Sequence, residues 1–464
     1  MPAMNPPELV VDDPYTGEVA ARRPLAEPAA IDRVLDAATR AAARAAETPV
    51  GDRAALAARA TDAMLAEREA IALDITRMMG KPLAQARREV DTMAARARHM
   101  IAIAEAALAD TTVEGREGFE RRIERVPLGV VFNMPAWNYP LLTAVNVVVP
   151  AVLAGNAVVI KHSSRTALAG EHFARAFRAA GGGDVVQALH CDHDAAARIC
   201  GDARVAHVAF TGSVAGGHAV YRAVAAQRFT DAGLELGGKD AAYVAPDADL
   251  EAAVEAIVDG ACYNAGQSCC AVERAYVHRS LHDRFLEAAR AAMERLRLGD
   301  PRTDVDMGPM AQPHAPRFIA GQIDAARARG ARVLAGGAPL GVAGRGRFFA
   351  PTLLAGVDHG MDVMRSETFG PVLPVMAVDD DEQALALVND SDLGLTASLW
   401  TRDRDRAARM ARRLAVGTVY LNTCDVLDPA LPWTGVKDSG KGSTLSSVGL
   451  QQLTRPRSLL FRLP

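Results

Sequence analysis

A chain of 464 residues, half of them hydrophobic, is too long for one ordinary core and rich enough in apolar side chains to fill two. Its formal net charge of −4 is small for that length, which excludes a global field that would draw it to nucleic acid or to an anionic membrane. Six scattered cysteines, with no Cys-x-x-Cys among them, exclude a dense disulfide framework or a zinc module, and no metal is expected.

Residues 1–13 are broken by prolines and acids, where a signal peptide needs a basic start and an apolar run. Ile31, Val34, Leu35 and Ala38 recur at i, i+3, i+4 and i+7, and Ile71, Ile75, Met78 and Met79 form a second stripe, so this region is expected to be helical. Gly80 and Pro82 end the second stripe, and residues 83–110 again read as helix. Acids interleave the arginines of this quarter, which marks solvated helix faces rather than a nucleic-acid patch. Apolar stretches such as 145–153 fall short of the ~20 residues needed to cross a bilayer. A soluble, reducing, cytoplasmic setting is the expectation.

From Asn156 onward, apolar runs alternate with helical segments: strands at 157–160, 185–189 and 205–210, helices at 167–180 and 194–201. That alternation predicts a parallel sheet with helices on its faces. A second series starts near Ala241, with helix 249–260, strand 271–278 and helix 281–298. No linker of biased composition separates the two series, so two closely packed or interleaved α/β lobes are predicted. Gly344-Arg345-Gly346 begins a Gly-x-Gly pattern but lies among glycines and prolines and reads as a loop.

Two segments carry chemistry. Glu235-Leu236-Gly237-Gly238-Lys239 sets an acid at a strand end before two glycines, where a carboxylate can act as a base and backbone can approach a ligand. Thirty-four residues after the acid, Gly266-Gln267-Ser268-Cys269-Cys270 puts a thiol on a loop between helix and strand, where local dipoles can favour the thiolate. Taken singly, each has an ordinary structural reading. A free cysteine is usually a small buried hydrophobe, an acid usually an ion-pair member, and Asn138 a turn residue before Pro140.

Together with their spacing, these segments resemble the aldehyde dehydrogenase superfamily, in its NAD(P)-dependent, non-acylating branch. The likeness extends through Pro135-Ala136-Trp137-Asn138-Tyr139-Pro140, Phe210-Thr211-Gly212-Ser213 with Gly217, Glu367-Thr368-Phe369-Gly370-Pro371, and the stretch 422–442. It implies a Rossmann-like cofactor domain from 1–108 and 128–237 and an α/β catalytic domain from 238–436. A small β oligomerisation element would come from 109–127 and 437–464, with a hairpin near 111–126 and a partner strand near 453–463. A homodimer or homotetramer acting on a small aldehyde is then expected, since a projecting ribbon leaves strand edges open.

The resemblance also implies roles. Cys269 would attack the aldehyde, Asn138 and the Cys269 N–H would hold the oxyanion, and Glu235 would activate water against the thioester. Trp137, Lys161, Ser164, Gly212, Ser213, Gly217, Gly237, Glu367 and Phe369 would meet the cofactor. Tyr139, Leu142, Thr143, Asn146, Ser268, Cys270, Leu427 and Trp433 would form the substrate pocket, Trp433 standing where the family commonly has Phe and so presenting a larger wall. None of these pocket positions is an arginine, which counts against a dedicated dicarboxylic semialdehyde unless another segment supplies one. NAD-preferring relatives often carry Glu three residues after the lysine; here the position is Ser164, with Lys161 and Arg165 adding positive charge. NADP is therefore expected to be accepted, with a slight preference over NAD, which is also usable. A CoA-acylating dehydrogenase, a non-catalytic binding protein and a cofactor-free cysteine hydrolase remain the alternatives.

Overall fold

The computed structural model describes residues 7–226 and 229–464. After an antiparallel hairpin, Glu8–Asp12 with Val19–Pro24, come four helices: α1 (Pro28–Glu47), α2 (Val50–Ala66), α3 (Arg68–Met79) and α4 (Leu83–Leu108). Ile31, Leu35, Ala38 and Ala42 bury one stripe of α1, and Gly80 stops α3 at φ +82°, a conformation glycine takes without steric cost.

The first sheet has six strands in the spatial order Gly440–Lys441, Asp231–Glu235, Val205–Thr211, Val130–Met134, Ala157–Ile160, Val186–Ala188. All pairings are parallel except that of the C-terminal edge strand. Helices α5 (Pro140–Leu153), α6 (Leu168–Ala179), α7 (His193–Cys200) and α8 (Val214–Ala225) connect its strands. The sheet thus begins before Asn156, where the sequence led us to start it. Val130–Met134 and α5 are buried at every residue, so neither shows an amphipathic period by which to be seen.

The second sheet runs Arg332–Ala335, Thr352–Ala355, Val372–Val378, Arg274–His278, Ala241–Val244, Thr396–Trp400, Thr418–Leu421. Helices α9 (Leu250–Cys262) and α10 (Arg279–Glu294) cover part of it, and α10 ends four residues before the expected 298. The strand expected over 271–278 starts only at Arg274, because residues 271–273 belong to the turn leaving the cysteine loop. The Gly344-Arg345-Gly346 segment is not a loop: Gly344, at φ +72°, turns a hairpin between Pro339–Val342 and Arg345–Phe349.

Phe119–Pro127 pairs antiparallel with Thr454–Arg462 over nine residues, and Thr111–Thr112 adds a short third strand. This ribbon exposes Leu460 and Phe461, and among the described residues the outer edge of Thr454–Arg462 has no paired strand. Among the described residues, no helix is long and apolar enough to cross a membrane.

Candidate active site

Cys269 follows a tight turn in which Asn264 and Ala265 both hold left-handed backbone, at φ 54° and 57°. Such strain in non-glycine residues persists only where surroundings over-determine it. Here they do. The Asn264 amide donates to the Asn138 carbonyl at 3.0 Å and the Gln267 carbonyl at 3.1 Å, while the Ala311 N–H donates to Gln267 Oε1 at 2.9 Å. Gly266 lies so close to Gly370 that a Cβ would sit 2.3 Å from its carbonyl, which ties the cysteine loop to the Glu-x-Phe-Gly-Pro segment. Cys269 itself is free and partly exposed.

The Asn138 turn is clamped from α4 and from the turn that precedes it. Buried Lys81 pairs with buried Glu89, donates to the Asn138 carbonyl at 2.9 Å and lies 4.0 Å from the centroid of the Tyr139 ring. The other Glu89 oxygen accepts the Leu141 N–H at 2.8 Å. With its carbonyl held from two sides, Asn138 keeps a side-chain amide that has no protein hydrogen-bond partner among the described residues. Neither Lys81 nor Glu89 was legible in the sequence, because nothing local links them to a turn about fifty residues away.

Glu235 ends its strand facing the same space. Thr444 hydrogen-bonds one carboxylate oxygen and Thr211 donates to the other at 3.5 Å. Burial nevertheless holds its carboxyl above the ordinary range, with the two threonines and Arg96 pulling the other way. Thr211 stood in a quoted motif without a role, and Thr444 lay just past the quoted C-terminal stretch.

One cavity of about 880 Å³ brings together Cys269, Glu235, Asn138 and every expected cofactor residue except Gly217. A Cβ on Gly217 would strike Leu236 at 2.7 Å, so this glycine lets α8 pack on the neighbouring strand end. The Gly212 N–H donates to the Glu235 carbonyl, and Cβ atoms at Gly212 or Gly216 would come within 2.5 or 2.8 Å of the Phe210 ring, so the turn must stay thin. Ser213 caps α8, its hydroxyl accepting the Gly216 N–H at 3.1 Å. The first N–H groups of α8 then remain available to an anion.

Glu367 accepts the Gly238 N–H at 3.1 Å, and burial with the nearby Glu273 charge pushes its carboxyl up to about 8. Phe369 meets Trp137 edge-on at 5.4 Å between centroids. What holds this segment is Glu273, a residue the sequence did not single out. It accepts the Thr368 and Phe369 N–H groups at 2.7 Å each and the Lys239 ammonium at 2.7 Å. Glu273→Ala would leave Lys239 buried without its counter-charge, so it is expected to lower unfolding free energy by about 3–5 kcal/mol in denaturant titration. A loss under about 1 kcal/mol would contradict this account of the segment.

At the far end of the cavity lie Lys161, whose ammonium is pulled below its ordinary range by burial, and Ser164. Arg165 is not the free positive charge expected. It is buried and held on Asp12, a carboxylate that it shares with Arg347.

The expected substrate-pocket residues lie outside this cavity's lining. Leu142, Cys270 and Trp433 are buried in the first core, with Tyr139 and Leu427 packed against it. Thr143 donates to the Ala136 and Tyr139 carbonyls at the start of α5. Trp433 exchanges backbone hydrogen bonds with Thr444, so it positions the threonine that holds Glu235. Ser268 and Cys270 both donate to Asp425 Oδ1, at 2.8 and 2.9 Å, and burial lifts the Asp425 carboxyl to about 6. Asn146 accepts a hydrogen bond from Arg96 of α4 at 3.2 Å.

The family model described as the aldehyde dehydrogenase family matches residues 3–459. The Escherichia coli (strain K12) NAD(P)+ succinate semialdehyde dehydrogenase Sad is 37% identical over 446 residues, covering 95% of each chain. The NADP+ succinate-semialdehyde dehydrogenase 1 of Mycobacterium bovis (strain BCG / Pasteur 1173P2) is 35% identical over 444 residues, covering 95% of this chain and 96% of that one. Among solved structures, lactaldehyde dehydrogenase from Escherichia coli superposes with a TM-score of 0.94 at 31% identity, covering 98% of this chain and 96% of that one.

Proposed function

Because the chain belongs to the aldehyde dehydrogenase family, we propose that it oxidises an aldehyde to the carboxylic acid through a thioester on Cys269, with NADP or NAD. The observation that carries this reading is the meeting of a free thiol, an unengaged amide and a carboxyl of raised pKa in one cavity with an open helix N-terminus. The thin glycine turn, Lys161 and Glu367 suit a dinucleotide, its pyrophosphate at α8 and its riboses toward the lysine and the glutamate. When bound, the nicotinamide supplies the hydride acceptor.

The Cys269 thiolate adds to the aldehyde carbon, and the resulting alkoxide is stabilised by the Asn138 amide and the Cys269 N–H. Collapse of the alkoxide leaves the acyl group on sulfur. Glu235 then takes a proton from water as it attacks the thioester, releasing the acid and the thiol. A CoA-acylating enzyme has less use for a base at this place. Offering a panel of aldehydes, with NADP or NAD, while following absorbance of the reduced cofactor tests the reading; inertness toward all of them would sink it.

Ser164 carries the cofactor expectation, Arg165 being held on Asp12, and the names of both relatives include NADP or NAD(P). A serine hydroxyl can donate to the 2′-phosphate where a carboxylate would repel it. Ser164→Glu is expected to weaken NADP use by about 1–3 kcal/mol, read as the ratio of kcat/KM for the two cofactors. An unchanged ratio would remove Ser164 from cofactor choice. The open nine-residue edge of Thr454–Arg462, with Leu460 and Phe461 exposed, supports a homodimer or homotetramer. Light scattering on a sizing column should give two or four times 49.0 kDa.

A further inference from the structure

Arg96 is a buried guanidinium without a carboxylate. It projects from α4, is only 6% exposed, and makes one hydrogen bond, from Nη1 to Asn146 Oδ1 at 3.2 Å. Its Nε is fully buried and has no partner among the described residues. Among the other buried arginines, Arg165 pairs with Asp12 and Arg274 donates to the Lys239 and Val388 carbonyls, while Arg53 donates only to the Ala45 carbonyl, away from the cavity. The acids nearest Arg96 are committed to other groups, Glu89 to Lys81 and the Leu141 N–H, Glu235 to Thr444 and Thr211.

Burial holds the Arg96 guanidinium below its ordinary range, while Cys270, Glu235, Glu89 and Cys269 are near enough to act on it in the other direction. A guanidinium taken out of water in this way is costly unless a counter-ion arrives, and a planar carboxylate suits its fork of donors. Resting on the reading that Cys269 attacks an aldehyde, we infer that Arg96 anchors the far end of the substrate, which is a short aldehyde bearing a carboxylate. Asn146 positions the anchor by occupying one of its nitrogens and leaving Nε open. The arginine missing from the expected pocket positions is thus supplied by α4, whose arginines the sequence assigned to solvated faces.

The test compares 4-oxobutanoate with neutral pentanal, which matches its main-chain length. The wild-type enzyme is expected to favour the anion by about 100-fold or more in kcat/KM. Arg96→Gln is expected to lower kcat/KM for 4-oxobutanoate by about 100-fold, chiefly through KM, with a loss for pentanal at least tenfold smaller. Arg96→Lys should recover part of the anion's rate. Independently of any variant, succinate should protect wild-type Cys269 from alkylation by iodoacetamide, whereas butanamide at the same concentration should not. Equal losses for the two aldehydes, a wild-type preference for pentanal, or equal protection by the two additives would overturn the inference. A wild-type enzyme inert toward every aldehyde would overturn the dehydrogenase reading instead.

Discussion

Cys269→Ser is expected to reduce aldehyde oxidation on the order of 10⁴-fold or more, because no other thiol stands where the acyl group must form. The neighbouring Cys270 is the obvious rival and is unsuited to the task. It is buried and donates to Asp425 Oδ1 at 2.9 Å. Contact with Cys269, burial and the Asp425 carboxylate hold its thiol far above the ordinary range, so it carries almost no thiolate at neutral pH. A serine there keeps the hydrogen bond to Asp425, and Cys270→Ser should retain activity within a factor of a few. Steady-state kinetics on the two variants separate the roles. A Cys269→Ser enzyme that still turns over would remove the covalent mechanism.

Glu235→Gln is expected to split the two half-reactions. The amide keeps a partner for Thr444 but cannot take a proton from water, so thioester hydrolysis should fall on the order of 10²- to 10⁴-fold. Acyl transfer to Cys269 does not need that base once the thiolate exists. A burst of about one reduced cofactor per site should therefore precede slow turnover, visible by stopped flow. The pH dependence carries the same assignment. Burial raises the Glu235 carboxyl above its ordinary 4.5, and only the deprotonated form is a base. Hydrolysis in the wild type should thus rise with pH through a limb lying above 4.5, and that limb should vanish in the glutamine variant. Full steady-state activity without Glu235 would assign the base to another group.

The α/β alternation from Ala157 onward could be read from the sequence because amphipathic helices such as Leu168–Ala179 and His193–Cys200 separate its short apolar strands. Val130–Met134 and α5 could not, since burial on all sides erases the period that distinguishes helix from strand. At the site, the residues within compact motifs, such as Cys269, Glu235, Asn138 and Glu367, were visible because their neighbours in sequence are also their neighbours in space. Their supports were not. Glu273, Lys81, Glu89, Thr444 and Arg96 reach the site through tertiary packing from distant helices and loops, and each looks in isolation like one more charged or polar side chain. Arg165 shows the converse: its charge was visible, whereas the Asp12 that holds it lies 153 residues away.

The central claim is that the acyl group passes through sulfur at position 269, and mass spectrometry of the Glu235→Gln enzyme tests it most directly. After brief mixing with aldehyde and cofactor and an acid quench, the peptide holding both cysteines should carry the mass of one acyl group, and fragmentation should place it on Cys269. An unmodified peptide under conditions that give a full burst, or an acyl group on Cys270, would contradict the account.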